Sequence, residues 1–263
     1  MLDWEKFEIT SEAYLKQKFG KVAGFELQGG SDSTRSDIKV TTLSGQQLFY
    51  IEAKSCPAQC GQFVLLPNIA TKTFDYSPGN SIKINNYSQD VISYMNCFFE
   101  DFKEAGTAGK DIFFENCSNI FADWIINFYS QKEVRFIITN GNIILPVKNF
   151  KSCFSVTAKY RTKRSGSSSV PAKDIAPVSE YMNSNFPVSN ILRENGKLFV
   201  SSNINLDKKR FIIAGREYMF AAVENRYEIR KLSNTFNANV IFSINLKQGC
   251  QGLADEEFIA YLH

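Results

Sequence analysis

Asp37, Glu52 and Lys54 combine residue types and spacing that suit one kind of chemistry. Glu52 and Lys54 are two apart, so on a β-strand they share a face. Asp37 lies at the start of the segment that would pair with that strand. Two carboxylates supply the hard oxygen ligands that suit Mg²⁺, and the main-chain carbonyl of Ala53 between them is expected to add a third. A neighbouring ammonium can orient a water and offset developing negative charge. Breaking a phosphodiester needs a nucleophilic water, stabilisation of the phosphorane and help for the departing oxygen. The three side chains are therefore expected to be catalytic, with Asp37, Glu52 and Ala53 holding the metal.

This set works only if the flanking elements position it. Asp37–Leu43 and Leu48–Ser55 read as a hairpin joined by Ser44-Gly-Gln-Gln. If Leu43 sits opposite Leu48, then Ile38, Val40 and Thr42 share a face with Phe49, Ile51 and Ala53. Asp37, Lys39 and Thr41 then share the other with Tyr50, Glu52 and Lys54. The apolar pattern and the chemical groups choose the same faces. Before the hairpin, Trp4–Phe19 reads as a helix with Phe7, Tyr14, Leu15 and Phe19 on one side and Glu5, Glu8, Glu12 and Lys16 on others. Leu27–Ser36 is a small-residue loop.

Asn86–Phe102 and Ser118–Ser130 look helical, and Val134–Thr139 and Asn142–Val147 look like strands paired around Asn140-Gly141. The fold class is α/β, a mixed sheet flanked by helices, with additional β-rich subdomains. After Phe150 the texture changes to short strands around a polar basic loop from Arg161 to Ser169. Residues 1–150 are expected to form the catalytic domain, 151–180 with 232–263 a DNA sequence-recognition subdomain, and 181–231 a small β-rich accessory DNA-binding subdomain. Asn239–Leu246 reads as a strand and Asp255–Leu262 as a closing helix.

Composition removes several alternatives. The one histidine is His263, so His-Asn-His, Ser-His-Asp and HExxH chemistries lack their imidazoles. No GxxxxGK[ST] stretch supports nucleotide hydrolysis. Six scattered cysteines read as free thiols, and Cys56 and Cys60 have no partners for a zinc site. No apolar run reaches a membrane span and the N-terminal residues lack a secretion pattern, so a cytoplasmic protein with no membrane association is expected. The net charge of +3 is uninformative, but Lys148–Lys173 carries seven cations and no acid.

With those residues in place, the chain resembles type II restriction endonucleases of the PD-(D/E)xK superfamily, on the branch that reads GCGC. The likeness lies in Ser31–Thr34 with Ser36–Ile38, Phe49–Lys54, Gln59–Leu65, Phe74–Pro78, Tyr160–Arg161 with Ser165–Ser167, and Leu232–Ile244. Ser36 stands where the superfamily motif has proline. The resemblance implies a restriction-endonuclease-like core and a Mg²⁺-dependent, monomeric endonuclease with one catalytic centre. It would cut double-stranded DNA, protected by a companion methyltransferase with which no stable complex is expected. It also makes Glu8, on the first helix, a candidate metal ligand through water, whereas Glu12 reads as the wet side of that helix.

G·C pairs are read in the major groove by Arg or Lys donating to guanine. Arg161, Lys163 and Arg164, followed by Ser165 and Ser167, form a basic loop suited to that task, with Lys159 beside it. Generic phosphate attraction is the competing account of Lys163 and Arg164. Asn237 and Asn239 are further candidates for DNA contact, as are Gln59 and Gln62 just beyond the catalytic strand. Two other functions use the same core: a repair or junction-resolving nuclease, and a DNA-binding protein that has lost catalysis.

Overall fold

The computed structural model describes residues 3–28, 36–164, 166–234 and 236–263, and of residues 163, 164, 236 and 237 the backbone alone. These fall into two compact units, Met1–Thr162 with Ala238–His263, and Lys163–Asn237.

The chain enters the first unit through helix α1 (Asp3–Phe19), with Asp3 and Glu5 in its first turn and Lys16 and Lys18 in its last, a distribution matched to the helix dipole. Strands β1 (Gly24–Leu27), β2 (Ile38–Thr41) and β3 (Gln47–Lys54) follow as an antiparallel meander. Next come β4 (Ala58–Asn68) and β5 (Thr73–Tyr76), helices α2 (Asn86–Cys97) and α3 (Phe99–Lys103), strand β6 (Lys110–Ile112) and helix α4 (Cys117–Gln131). Strand β7 (Val134–Thr139) returns beside β3 in parallel, and β8 (Ile143–Pro146) pairs with it antiparallel. The first sheet is thus mixed, in the order β1-β2-β3-β7-β8. A short helix α5 (Phe150–Cys153) leads into β9 (Phe154–Arg164).

The second unit holds β10 (Ser167–Ser169), helix α6 (Ile175–Asn185), and strands β11 (Val188–Glu194), β12 (Lys197–Ser202), β13 (Arg210–Ile213), β14 (Arg216–Val223) and β15 (Arg226–Leu232). They make a six-stranded antiparallel sheet around Val178, Met182, Val200, Phe220 and Ile229. Strand β16 (Phe236–Leu246) and helix α7 (Asp255–Ile259) complete the first unit. There β16 lies between β4 and β9 in a second five-stranded sheet, β5-β4-β16-β9-β6.

The first sheet is covered on both faces. Leu15 and Phe19 of α1 and Phe258 of α7 pack with Ile38, Val40, Phe49, Ile51 and Ala53. Val134, Ile137 and Leu145 point the other way, into a core shared with α4 and the second sheet. Such two-sided burial is why β7 reads as a nearly continuous apolar run.

Helices α1 and α4, the hairpin and strands β7, β8 and β16 lie where the sequence places them, whereas β1, β4, β5 and β6 are strands that the sequence reading does not anticipate. The hairpin pairs Ile38 with Ile51 and Val40 with Phe49, two residues away from the expected register, so Leu43 is 69% exposed rather than paired with Leu48. Because this shift is even, the side chains from Ile38 to Val40 keep their expected faces; a bulge between Val40 and Thr41 then moves the register by one more residue. The helix expected through Phe102 breaks at Phe98, which seats Phe99 and Phe102 in the core. The basic segment from Arg161 is strand on both sides of Ser165, not loop. Helix α6 is not anticipated by the sequence; its Pro177 sits in the first turn, where the absent N–H is not needed. The two compact units also divide the chain differently from the expected boundaries, since β9 and β16 share one sheet with β4.

The expectation of free thiols fails for one pair. Cys153 and Cys250 form a disulfide across 97 residues, a separation that hides the pairing from sequence. Cys56, Cys60, Cys97 and Cys117 are free.

Candidate active site

The site is built at the C-terminal end of β3. Alternate peptide groups of a strand point to opposite neighbours, and here that alternation sorts the site. On one side the Tyr50 amide donates to the Glu133 carbonyl at 3.0 Å, and the Lys54 carbonyl accepts from Thr139 Oγ1 at 2.7 Å. On the other, the Ala53 amide donates to Asp37 Oδ2 at 2.9 Å. The Ala53 carbonyl therefore lies on the Asp37 side.

Lys54 Nζ lies 2.7 Å from Glu52 Oε2 and 3.1 Å from Asp37 Oδ2, bridging the two carboxylates. Glu52 is 6% exposed and Asp37 is also buried. Burial pulls the Lys54 ammonium down, but the charges of Glu52 and Asp37 outweigh it and hold the group above its ordinary value. Burial pushes the Glu52 carboxyl up, against Lys54.

Glu8 of α1 joins this cluster. It is buried on the face that also carries Ser11, Leu15 and Phe19. Burial, then the charges of Asp37 and Glu52 and a hydrogen bond to Asp37, push the Glu8 carboxyl up to about 7 against the pull of Lys54. Glu12 instead pairs with Lys16 one turn on, at 2.5 Å. Two carboxylates thus meet a single ammonium, with the Glu8 carboxyl hydrogen-bonded to Asp37 beside them. A hard divalent cation fits that donor set, with Asp37, Glu52 and the Ala53 carbonyl as candidate ligands and Glu8 beside them.

A recess of about 420 Å³ opens beside them, lined in part by Glu8, Ala53, Lys54 and Gln59. Gln59 and Gln62 are three apart and should face opposite ways on a regular strand. Their side chains nevertheless hydrogen-bond at 3.2 Å, because β4 bulges against β16 between the partners of Phe242 and Ser243. Gly61 sits at that bulge, where a Cβ would come within 2.8 Å of the Trp124 ring.

Two positioning residues were not singled out from sequence. Thr139, fully buried, holds the Lys54 carbonyl as above. Asn140 brackets Cys56, two residues beyond Lys54: Cys56 N donates to its Oδ1 at 2.7 Å, and its Nδ2 donates to the Cys56 carbonyl at 2.9 Å. Asn140-Gly141 reads as turn chemistry, which masks this second role.

The remaining candidates are dispersed. Lys159 faces Asp111 at 3.4 Å, and Lys151 pairs with Asp123 at 2.7 Å, so acids from elsewhere offset part of the basic stretch. Arg161 is half-buried in β9 with a buried Nε that has no hydrogen-bond partner. Ser167 pairs with Leu232 at the edge of the second unit's sheet. Asn239 is buried in mid-strand. The side chains of Lys163, Arg164 and Asn237, and all of Ser165, lie outside the described residues.

A mixed sheet whose hairpin gathers two carboxylates and a lysine, with a third carboxylate from the first helix, defines an α/β protein with an acid-and-lysine centre. No family model and no curated protein matches the chain. A solved structure of HhaI endonuclease in complex with DNA does, at 36% sequence identity over 99% of both chains, with a TM-score of 0.83. The chain belongs to the type II restriction endonuclease family that includes HhaI endonuclease.

Proposed function

We propose that this chain is a Mg²⁺-dependent type II site-specific deoxyribonuclease that hydrolyses phosphodiester bonds of duplex DNA at a short palindrome, GCGC. The convergence of Asp37 and Glu52 on Lys54, which itself lines an open recess, carries this reading. Full-length likeness to an endonuclease solved with DNA supports it, and GCGC rests on the sequence resemblance. The chain would act as a monomer in the cytoplasm, with a companion methyltransferase protecting the same site. Among the described residues, no helix is long and apolar enough to cross a membrane.

Bound Mg²⁺ would supply Lewis acidity toward the phosphate and lower the pKa of the attacking water. The chain's own groups do the rest. Asp37 is held in place by the Ala53 amide, and Glu52 by Lys54. The Lys54 ammonium, kept charged by both carboxylates, orients the water and offsets negative charge as the phosphorane forms. Glu8 is placed to hold a further water by its carboxylate. Gln59 and Gln62 would contact the cut strand. Arg161, with Lys159, Lys163, Arg164, Ser165, Ser167, Asn237 and Asn239, would meet the DNA outside the centre.

Incubating the protein and Mg²⁺ with unmethylated plasmid should give discrete fragments whose ends map to GCGC. A smear, or no cutting, would count against the reading.

A further inference from the structure

Trp4 has no role in the scheme above, yet its placement is unusual. It lies one turn before Glu8 on α1, on the same face as Glu8, Ser11 and Leu15. The later residues of that face are buried, whereas Trp4 is 44% exposed. Phe7 packs against the neighbouring core, but Trp4 belongs to no core cluster. Its indole lines the recess that holds Glu8 and Lys54, and Phe7, Pro57 and Ala58 extend the same apolar wall.

The recess therefore has two chemically distinct parts: the Glu8 carboxylate and the Lys54 ammonium on one side, and on the other an apolar wall ending in Trp4, with Asp3 beside it. A phosphate drawn to Lys54 brings its attached sugar and base with it. Those groups present an apolar face at the distance of one nucleotide from the phosphate. An exposed indole is costly to leave in water and well suited to packing on such a face.

We infer that Trp4 is a substrate-contact residue, packing against the deoxyribose of the nucleotide next to the scissile phosphate and so fixing that phosphate over Lys54. The inference rests on the nuclease reading and adds a named contact to it.

The chain has two tryptophans, and Trp124 is fully buried, so exposed indole emission reports on Trp4. Titrating the protein in EDTA with a short duplex containing GCGC should quench that emission as binding, followed separately by anisotropy of a labelled duplex, saturates. Trp4→Phe should remove the fluorescence response. Trp4→Ala should lower kcat/KM for cleavage on the order of tenfold or more, with Trp4→Phe losing less. A thermal melt matching the parent would separate lost contact from lost fold. Saturating duplex binding with unchanged emission, or a folded Trp4→Ala that cuts like the parent, would overturn the inference while leaving the nuclease reading intact. No binding and no cutting of any duplex by the parent protein would sink both.

Discussion

Thr139 Oγ1 donates to the main-chain carbonyl of Lys54 at 2.7 Å, from the end of the strand parallel to the one that carries the lysine. Two neighbouring strand ends are thereby tied at the residue whose ammonium must be placed. Thr139→Val keeps the shape and removes the donor, leaving a buried carbonyl unsatisfied at a cost of about 1–3 kcal/mol. Its effect on cleavage should be larger than a stability loss explains, roughly 10- to 100-fold in kcat, as for other groups that orient ligands from behind. Denaturant melts and single-turnover cleavage, measured together, check this. Parent-level kcat would remove Thr139 from the positioning role.

Lys54→Ala and Asp37→Ala should each reduce Mg²⁺-dependent cleavage by about 10²–10³-fold or more, while duplex binding in EDTA changes little. Lys54→Ala also leaves Glu52 and Asp37 facing one another without their shared counter-charge, so it should destabilise the metal-free protein more than Asp37→Ala does. Cleavage assays, gel shifts and melts on the same preparations report all three quantities. Unchanged cleavage in both variants would remove the proposed centre.

Glu8 gives a pH dependence with a definite sign. Its carboxyl is raised from 4.5 to about 7, so between those values the folded chain binds more protons than the unfolded one. Stability from this group is full below about 4.5, declines as pH rises through about 7 and then levels off. In EDTA, the parent should lose thermal stability over that interval relative to Glu8→Gln, which carries no titrating proton there. Identical pH profiles for the two proteins would contradict the assignment.

Thiol counting tests the disulfide. Of the six cysteines, four are free, and Cys60 and Cys117 are buried. Under denaturing conditions without reductant, four thiols should react, rising to six after reduction. In the native protein, exposed Cys97 should react first. Burial pushes the Cys60 thiol up to about 12, which further slows its reaction. Six reactive thiols in unreduced, denatured protein would show that Cys153 and Cys250 are not joined.

What the sequence by itself determined is local and periodic. A period of two along the hairpin was enough to put Asp37, Glu52 and Lys54 on one face, and it survived a register error because the offset was two residues. The run through Val134–Thr139 announced a buried central strand for a similar reason. Other features depend on what packs against a segment. Glu8 is a candidate on resemblance alone, and only the packing of α1 on the sheet buries it beside Asp37 and Glu52. Gln59 and Gln62 read as opposed, and only the bulge in β4 brings them together. Thr139 and Asn140 became positioning residues because a long crossover returns β7 beside β3, and Cys153 met Cys250 across 97 residues for want of any local signal. Chemistry that repeats along the chain can be read from the chain, whereas burial, charge neighbours and long-range partners are set by the elements that the tertiary fold brings alongside.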